Sequence, residues 1–295
     1  MSEQKLFQIQ SEVIQTLKAP LVILVVFSHM LPFNQDPLNL SFESKDIYHF
    51  VSELISHHIA RLTTCCYFIF SGYFFFIKMD RWNTLDYFNK LKKNIKTLLI
   101  PYLIWNLAII IATHIKNLLF IKVGLPPEDS YSIFSHLSLY ELFWKMPVNY
   151  PLWFIRDLII MSIFSPLFYL LFNYTKFGGL IFLFVLYVLV LEIPAPGFSS
   201  IAMFFFGLGS FMGMFKYSML KICLSYWKIA SLMGIVFLVI TMSYMGTPPY
   251  EHWKRIYLVC GTICLFYFGI NLYDVINERL KKKLLQYHQL LFSSI

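Results

Sequence analysis

Apolar residues gather in eight stretches, near 18-33, 56-77, 98-121, 152-172, 177-193, 198-215, 226-245 and 256-276, and the segments between them hold most of the charge. A helix crossing the hydrocarbon core needs about 20 apolar residues, and these runs approach or reach that length. The pattern predicts an all-α fold: a polytopic transmembrane helix bundle of about eight spans, forming one domain over residues 1-295. The first, fifth and sixth runs are short. The opening "MSEQKLFQIQSEVIQTLKAP" is mixed and polar, and no small-residue cleavage site follows the first apolar run. The first span is therefore expected to be the membrane anchor itself, without a cleavable signal.

Composition agrees with this. Of 295 residues, 58% are hydrophobic, 19% aromatic and only 14% charged, too little polar surface for a soluble domain of this length. The 31 Phe and 19 Tyr suit packed spans with aromatic belts. A net charge of +8 would suit nucleic acid, but on a polytopic chain it first has to be sorted by side. With the N-terminus cytoplasmic, 16 of the 24 basic residues fall in inside segments, among them Lys78, Arg81, Lys90, Lys92, Lys93 and Lys96. Seven fall outside (Lys45, Arg61, Lys116, Lys122, Lys145, Lys254 and Arg255), and Arg156 lies in a span. That bias predicts a multi-pass protein of the inner or plasma membrane with both termini cytoplasmic, whose charges set orientation against membrane lipids and bind no nucleic acid. The five cysteines sit in or beside apolar runs and form no C-x-x-C pair, so they are expected as small packed hydrophobes, with no metal site and no disulfide framework.

The longest outside segment, about Lys122 to Pro151, contains "GLPPEDS" and "MPVNYP". Its prolines resist a single helix and predict an ordered loop able to cover a site that opens outward. "GLGSFMG", Gly207 to Gly213, follows no strand, so close helix packing through Gly209-x-x-x-Gly213 explains it better than a phosphate loop.

Ionisable groups inside a membrane are costly, so each raises a functional question. Lys18 and His29 are eleven residues apart, about three helical turns and roughly 16 Å, which would put both on one face of the first helix. A snorkelling lysine and an interfacial histidine bound to a backbone carbonyl would explain them equally well. In "LKKNIKTLLIPY", Lys93 and Lys96 are i, i+3 neighbours leading into the third span. They suit the phosphates of a ligand at the inner surface, or lipid headgroups. "FIFSGYFFF" places Ser71 and Gly72 in an aromatic run, and "PLWFIRDL" brings Arg156 and Asp157 into a span beside Trp153.

In this order and spacing the four features resemble the acyltransferase-three family of integral membrane acyltransferases, over about Thr16 to Pro166. Lys18 and His29 match the family's basic residue, ten intervening residues and histidine. Ser71, Gly72 and Tyr73 match its Ser-Gly-aromatic element, and Lys93, Lys96 and Pro101 its paired basic residues before a span that begins with proline. "PLWFIRDL" is similar to its Trp-containing span. Lysines stand where arginines are commoner, Pro20 replaces a small or aliphatic residue, and "TTCCYF" a stretch that commonly contains proline. Family members usually have about ten spans, so the chain is expected to fall short of the full helix set.

The resemblance implies transfer of an acyl group, commonly acetyl from acetyl-CoA, to a hydroxyl of a cell-surface polysaccharide, a sugar or a lipid-linked glycan precursor. It implies His29 as general base, Lys18, Lys93 and Lys96 as binding residues for the acyl-CoA co-substrate, and no metal. Ser71, Gly72, Tyr73, Trp153, Arg156 and Asp157 become candidates for the substrate pocket. A transporter of a small molecule or glycan, or a catalytically inactive relative, are the alternatives; an inner-face lysine pair coupled to an intramembrane histidine favours the enzyme.

Overall fold

A computed structural model describes residues 3–29, 37–38, 43–79, 81–126, 138–145 and 147–292. Among these the chain is helical and contains no strand. Its helices are α1 (Glu3–Phe27), α2 (Ser44–Ser52), α3 (Leu62–Phe76), α4 (Thr84–Asn94), α5 (Ile100–Lys122), α6 (Trp153–Ile163), α7 (Ser165–Thr175), α8 (Phe177–Val188), α9 (Ser200–Met214), α10 (Met219–Ser243) and α11 (Tyr250–Phe292). Wider π-helical stretches lead from α2 toward α3 (Glu53–Ile59) and from α4 into α5 (Ile95–Leu99).

Five described stretches are long and apolar enough to cross a bilayer: Leu6–Phe27, Ser44–Phe76, Thr84–Lys122, Met219–Ser243 and Tyr250–Glu278. A sixth exists if Tyr150–Ile163 and Ser165–Thr175, bent by 57°, form one span. Pro166 opens α7 and lacks the N–H that would continue the ladder back into α6, which accounts for the bend. Against the eight expected, the described residues thus hold five or six candidate spans. α8 and α9 have 12 and 15 residues, about 18 and 23 Å of helix, short of a core about 30 Å thick.

The first helix begins at Glu3, where sequence alone placed a span at 18-33. Its early polar residues alternate with a buried stripe of Leu6, Val13, Ile14, Leu17 and Leu21, and they find partners. The Gln10 side-chain oxygen accepts from the Ser218 hydroxyl (3.2 Å), and Glu12 accepts from the Tyr273 hydroxyl (2.5 Å). The predicted end of that span, at 30-33, lies outside the described residues, as does most of "GLPPEDS" and Met146 of "MPVNYP".

The chain divides into two compact units: Met1–Phe70 with Lys216–Ile295, and Ser71–Phe215. In the first, α10 and α11 form an antiparallel hairpin in which Trp227 stacks on Tyr267 at 4.4 Å. α1 lies along α11 where Gly269 makes room for Leu17; a Cβ there would stand 2.3 Å from the leucine Cγ. Lipid solvates leucine about as well as another helix does, so this close approach and the Gln10 and Glu12 hydrogen bonds are what hold α1 in place.

In the second unit α9 is buried on nearly every face, as a helix apolar all round must be. The C-terminal half of α3 packs on it with almost no gap. A Cβ on Gly72 would meet the Phe206 carbonyl oxygen at 2.2 Å, and one on Gly213 the Tyr73 carbonyl oxygen at 2.7 Å. Lys90 of α4 donates to the Phe75 carbonyl at the end of α3 and lies 5.0 Å from the Phe75 ring, a cation where the helix carbonyls need one. Where described, the segment after α5 is anchored: the Tyr102 hydroxyl donates to the Phe143 carbonyl, and the Asn149 N–H to the Asn106 side-chain oxygen (3.2 Å).

Candidate functional site

In the second unit the residues of "PLWFIRDL" form a closed polar network. Asp157 is fully buried. One of its oxygens accepts from Arg156 Nε (3.1 Å) and Nη2 (2.8 Å), and the other from the Ser199 hydroxyl (2.6 Å). Arg156 Nη1 donates to the Trp144 and Lys145 carbonyls, both at 3.0 Å. Ser199 in turn caps α9 by accepting from the Ala202 N–H, while Glu192 accepts from the Ser200 N–H and hydroxyl. The network fastens α6, the segment before it and the start of α9 to one another. Ser71, Gly72 and Tyr73 serve the α3–α9 crossing, and Trp153 is half-buried with Phe154 edge-on at 6.4 Å.

Lys93 and Lys96 also belong to the second unit. Both are exposed, as is Lys92. Lys93 is in the last turn of α4 and Lys96 in the π-helical stretch that carries α4 into α5. Thr84–Lys122 runs for 39 residues, about 58 Å, far more than the hydrocarbon core. Placing the α4 end outside the core leaves these ammonium groups in water, available to an anionic ligand.

Lys18 and His29 lie in the first unit. Lys18 is exposed on α1. The last turn of α1 tightens: the Ser28 N–H donates four residues back to Leu24, and the His29 N–H three back to Val26 at 3.1 Å. His29 therefore leaves the regular helical phase that would have aligned it with Lys18. Its side chain is exposed. The burial it has, and then the positive charge of Arg61, hold it below the ordinary histidine value.

Arg61 connects His29 to a cluster that the sequence reading did not single out, since it also lies within electrostatic reach of His58, Tyr250 and Lys254. The cluster is built on the π-helical stretch after α2, where the Ala60 N–H donates five residues back to Ile55. The wider turn lets adjacent His57 and His58 both turn inward, and both are buried with Glu53; such bulges occur often at functional sites. The Glu53 carboxylate stands between His49 (4.0 Å) and His57 (3.9 Å), one turn away on either side. His58 Nδ1 is 2.8 Å from the Glu53 carbonyl oxygen. A carbonyl only accepts, so Nδ1 carries the proton and, in the neutral ring, Nε2 keeps a lone pair.

From α11, Tyr250 presents its ring edge-on to His58 at 6.0 Å, and Tyr257 is at 6.3 Å. Lys254 and Arg255 are buried as well. Lys254 donates to Glu251 and lies 4.8 Å from the Tyr250 ring. His58 Nε2 and the Tyr250 hydroxyl are buried with no hydrogen-bond partner among the described residues. The available signal was the spacing His49, Glu53, His57 in steps of four, ahead of an apolar run. Among the described residues no three His, Cys, Asp or Glu side chains converge as a metal site.

The succinoglycan biosynthesis protein ExoH of Rhizobium meliloti (strain 1021) is 30% identical over 118 residues. That alignment covers 40% of this chain and 31% of the relative, so the chain matches about a third of that protein's length. No solved structure matches. The family model described as "Acyltransferase domain" (Acyl_transf_3) matches residues 12–289, nearly the whole chain with His29, Arg61, His58 and Lys254 inside the match, and the protein belongs to that family.

Proposed function

We propose that the protein transfers an acyl group, acetyl in the simplest case, from a cytoplasmic acyl-CoA to a hydroxyl of a polysaccharide or lipid-linked sugar. The observation that carries the reading is the acyltransferase family match over residues 12–289, with His29 inside it and held below the ordinary histidine value by burial and then by the charge of Arg61. The relative named for succinoglycan biosynthesis supports a glycan acceptor.

In this reading His29 removes the proton from the acceptor hydroxyl as its oxygen attacks the thioester carbonyl. The carbon–sulfur bond breaks, the acyl group forms an ester with the acceptor, and the thiolate leaves to be protonated. Burial and Arg61 both oppose the imidazolium form, so the ring is free to act as a base near neutral pH. Lys93 and Lys96 of the second unit are the candidates to hold the CoA phosphates as point charges, and Lys18 of the first is a further candidate on its own. The excess of Lys and Arg in alternate segments supports a cytoplasmic N-terminus, which would put this pair on the side where CoA is found.

The test is His29→Ala. General-base catalysis is worth roughly 10²–10⁴-fold, so a well-inserted variant should lose acyl transfer to that extent. The readout is the mass increment of an acetyl group on surface polysaccharide, in a strain lacking the protein and complemented with either form. Full acylation by the variant would remove His29 as the base.

A further inference from the structure

We propose that α4 is an interfacial helix that docks on a bilayer surface rich in acidic phospholipid, seating Leu85 and Phe88 among the headgroups and Lys92 against their phosphates. This surface belongs to the second unit alone and is independent of the acyl-transfer reading.

α4 has two unlike sides. Tyr87, Lys90, Leu91 and Asn94 recur at helical spacing and form its partly buried face. The Tyr87 hydroxyl donates to the Ile163 carbonyl (2.9 Å), and the Tyr87 ring lies 5.3 Å from Trp82, which itself lies 5.2 Å from Tyr169. Lys90 donates to the Phe75 carbonyl. Phe75, Ile163 and Tyr169 all belong to stretches that read as membrane-spanning, so this face fastens α4 against membrane helices. Leu85, Phe88 and Lys92, at spacings of three and four, lie on the other side. Leu85 is 74% exposed and Phe88 59%, and Ile95, just past the end of the helix, is 50% exposed.

The level of this face follows from helix length. α5 alone has 23 residues, about 34 Å of helix, enough to cross a core about 30 Å thick. α4 and the π-helical stretch after it therefore lie at the rim of the core, where headgroups begin.

Charge identifies the lipid. From Lys78 to Lys96 the chain carries six cations against Asp80 and Asp86, and Lys78, Arg81, Lys92, Lys93 and Lys96 are exposed. Clusters of this size beside a membrane helix attract acidic headgroups. Setting the orientation of the chain would account for the cations, but it has no use for an exposed apolar face among them. An acidic bilayer surface uses both: the apolar side chains enter the boundary between headgroups and acyl chains while the ammonium groups meet phosphate. Lys92, four residues on from Phe88, stands on the apolar face, from which its long stem can carry the charge back to the headgroups. Lys93 points about 100° away around the helix and stays available to a soluble ligand.

A fluorophore on a single introduced cysteine, in the full chain with its five native cysteines replaced by alanine and held in nanodiscs, tests the docking. In phosphatidylglycerol, probes at Leu85→Cys and Phe88→Cys should be shielded from acrylamide and quenched by nitroxide-labelled headgroups. A probe at Asp86→Cys, one residue along and about 100° around the helix, should show the reverse. Phosphatidylcholine should weaken the headgroup quenching at Leu85 and Phe88. Replacing Lys78, Arg81 and Lys92 together with Gln should abolish the preference for phosphatidylglycerol, since each cation near an acidic surface contributes about a fivefold change in binding. Millimolar inorganic phosphate at constant ionic strength should leave every signal unchanged, which separates a lipid surface from a site for free phosphate. Equal acrylamide access at Leu85 and Asp86, the same quenching in both lipids, a preference that survives the triple substitution, or displacement by inorganic phosphate would each overturn the proposal.

Discussion

Around Asp157 both carboxylate oxygens have donors, whereas around His58 two buried polar atoms have none among the described residues. Both clusters hold ionisable groups in stretches that read as membrane-spanning, though only Arg156 and Asp157 were singled out from the sequence on that ground. A network whose members satisfy one another has no free valence for a ligand, and its buried groups are explained by what they fasten. A cluster with unspent donors and acceptors is paid for elsewhere in the fold and still has something to bind. Saturation, more than the mere presence of charge, is what separates a structural polar group from a candidate site.

The sharpest way to break this comparison is to remove one member of each. Asp157→Ala takes the buried carboxylate from a partly buried Arg156 and from Ser199, and breaking a buried pair costs up to about 3–5 kcal/mol. His58→Gln removes a group that makes one hydrogen bond among the described residues, to the Glu53 carbonyl, so its expected cost is nearer about 1 kcal/mol. Denaturant titration in detergent should show the first variant severely destabilised and the second close to wild type. A stable Asp157→Ala protein that fails only in acyl transfer would reverse the assignment of the two clusters.

A smaller effect is expected at Lys93 and Lys96, which are exposed. If each contributes a charge-assisted contact to CoA phosphate, replacing either Lys93 or Lys96 with Gln should weaken donor binding about ten- to a hundredfold. The phosphates are remote from the reacting carbonyl, so the loss should fall on KM for acyl-CoA and spare kcat. Unchanged KM in a correctly inserted double variant would leave the pair as orientation signals.

Ser199→Ala probes the edge of the saturated network, deleting one donor to Asp157 and the cap of α9 together. The expected loss is about 1 kcal/mol of stability, read from the same titration, with no change in KM for either substrate. Equal stability with a raised acceptor KM would move Ser199 from the scaffold to the site.

The smallest effect is a shift in pH dependence. A histidine acting as base works in its neutral form, so the rate falls as pH drops through its pKa. Burial first and Arg61 second hold His29 below the ordinary value, which puts that fall on the acid side of the usual histidine range. Arg61→Gln removes the second cause, and the acid limb of kcat/KM should move to higher pH. An unmoved limb would show that Arg61 does not act on the base.

The helical, membrane-embedded class was legible in the chain because about twenty apolar residues in helix match the thickness of a bilayer, and that match depends on composition alone. Lys18, His29, Lys93 and Lys96 could be singled out as candidates for a related reason: charge in apolar surroundings is rare enough to notice one residue at a time. The number of spans was not, since "FGGLIFLFVLYV" and "SIAMFFFGLGSFMGM" are as apolar as true spans and only folding shows them ending after 12 and 15 residues. Nor was the length of α1, whose Gln10 and Glu12 become tolerable through partners more than 200 residues away. The functional meaning of Arg156 and Asp157, and of His57 and His58, likewise waited for tertiary structure. Whether a buried polar atom is satisfied depends on groups brought together from distant parts of the chain, and local sequence carries no record of which partners will arrive.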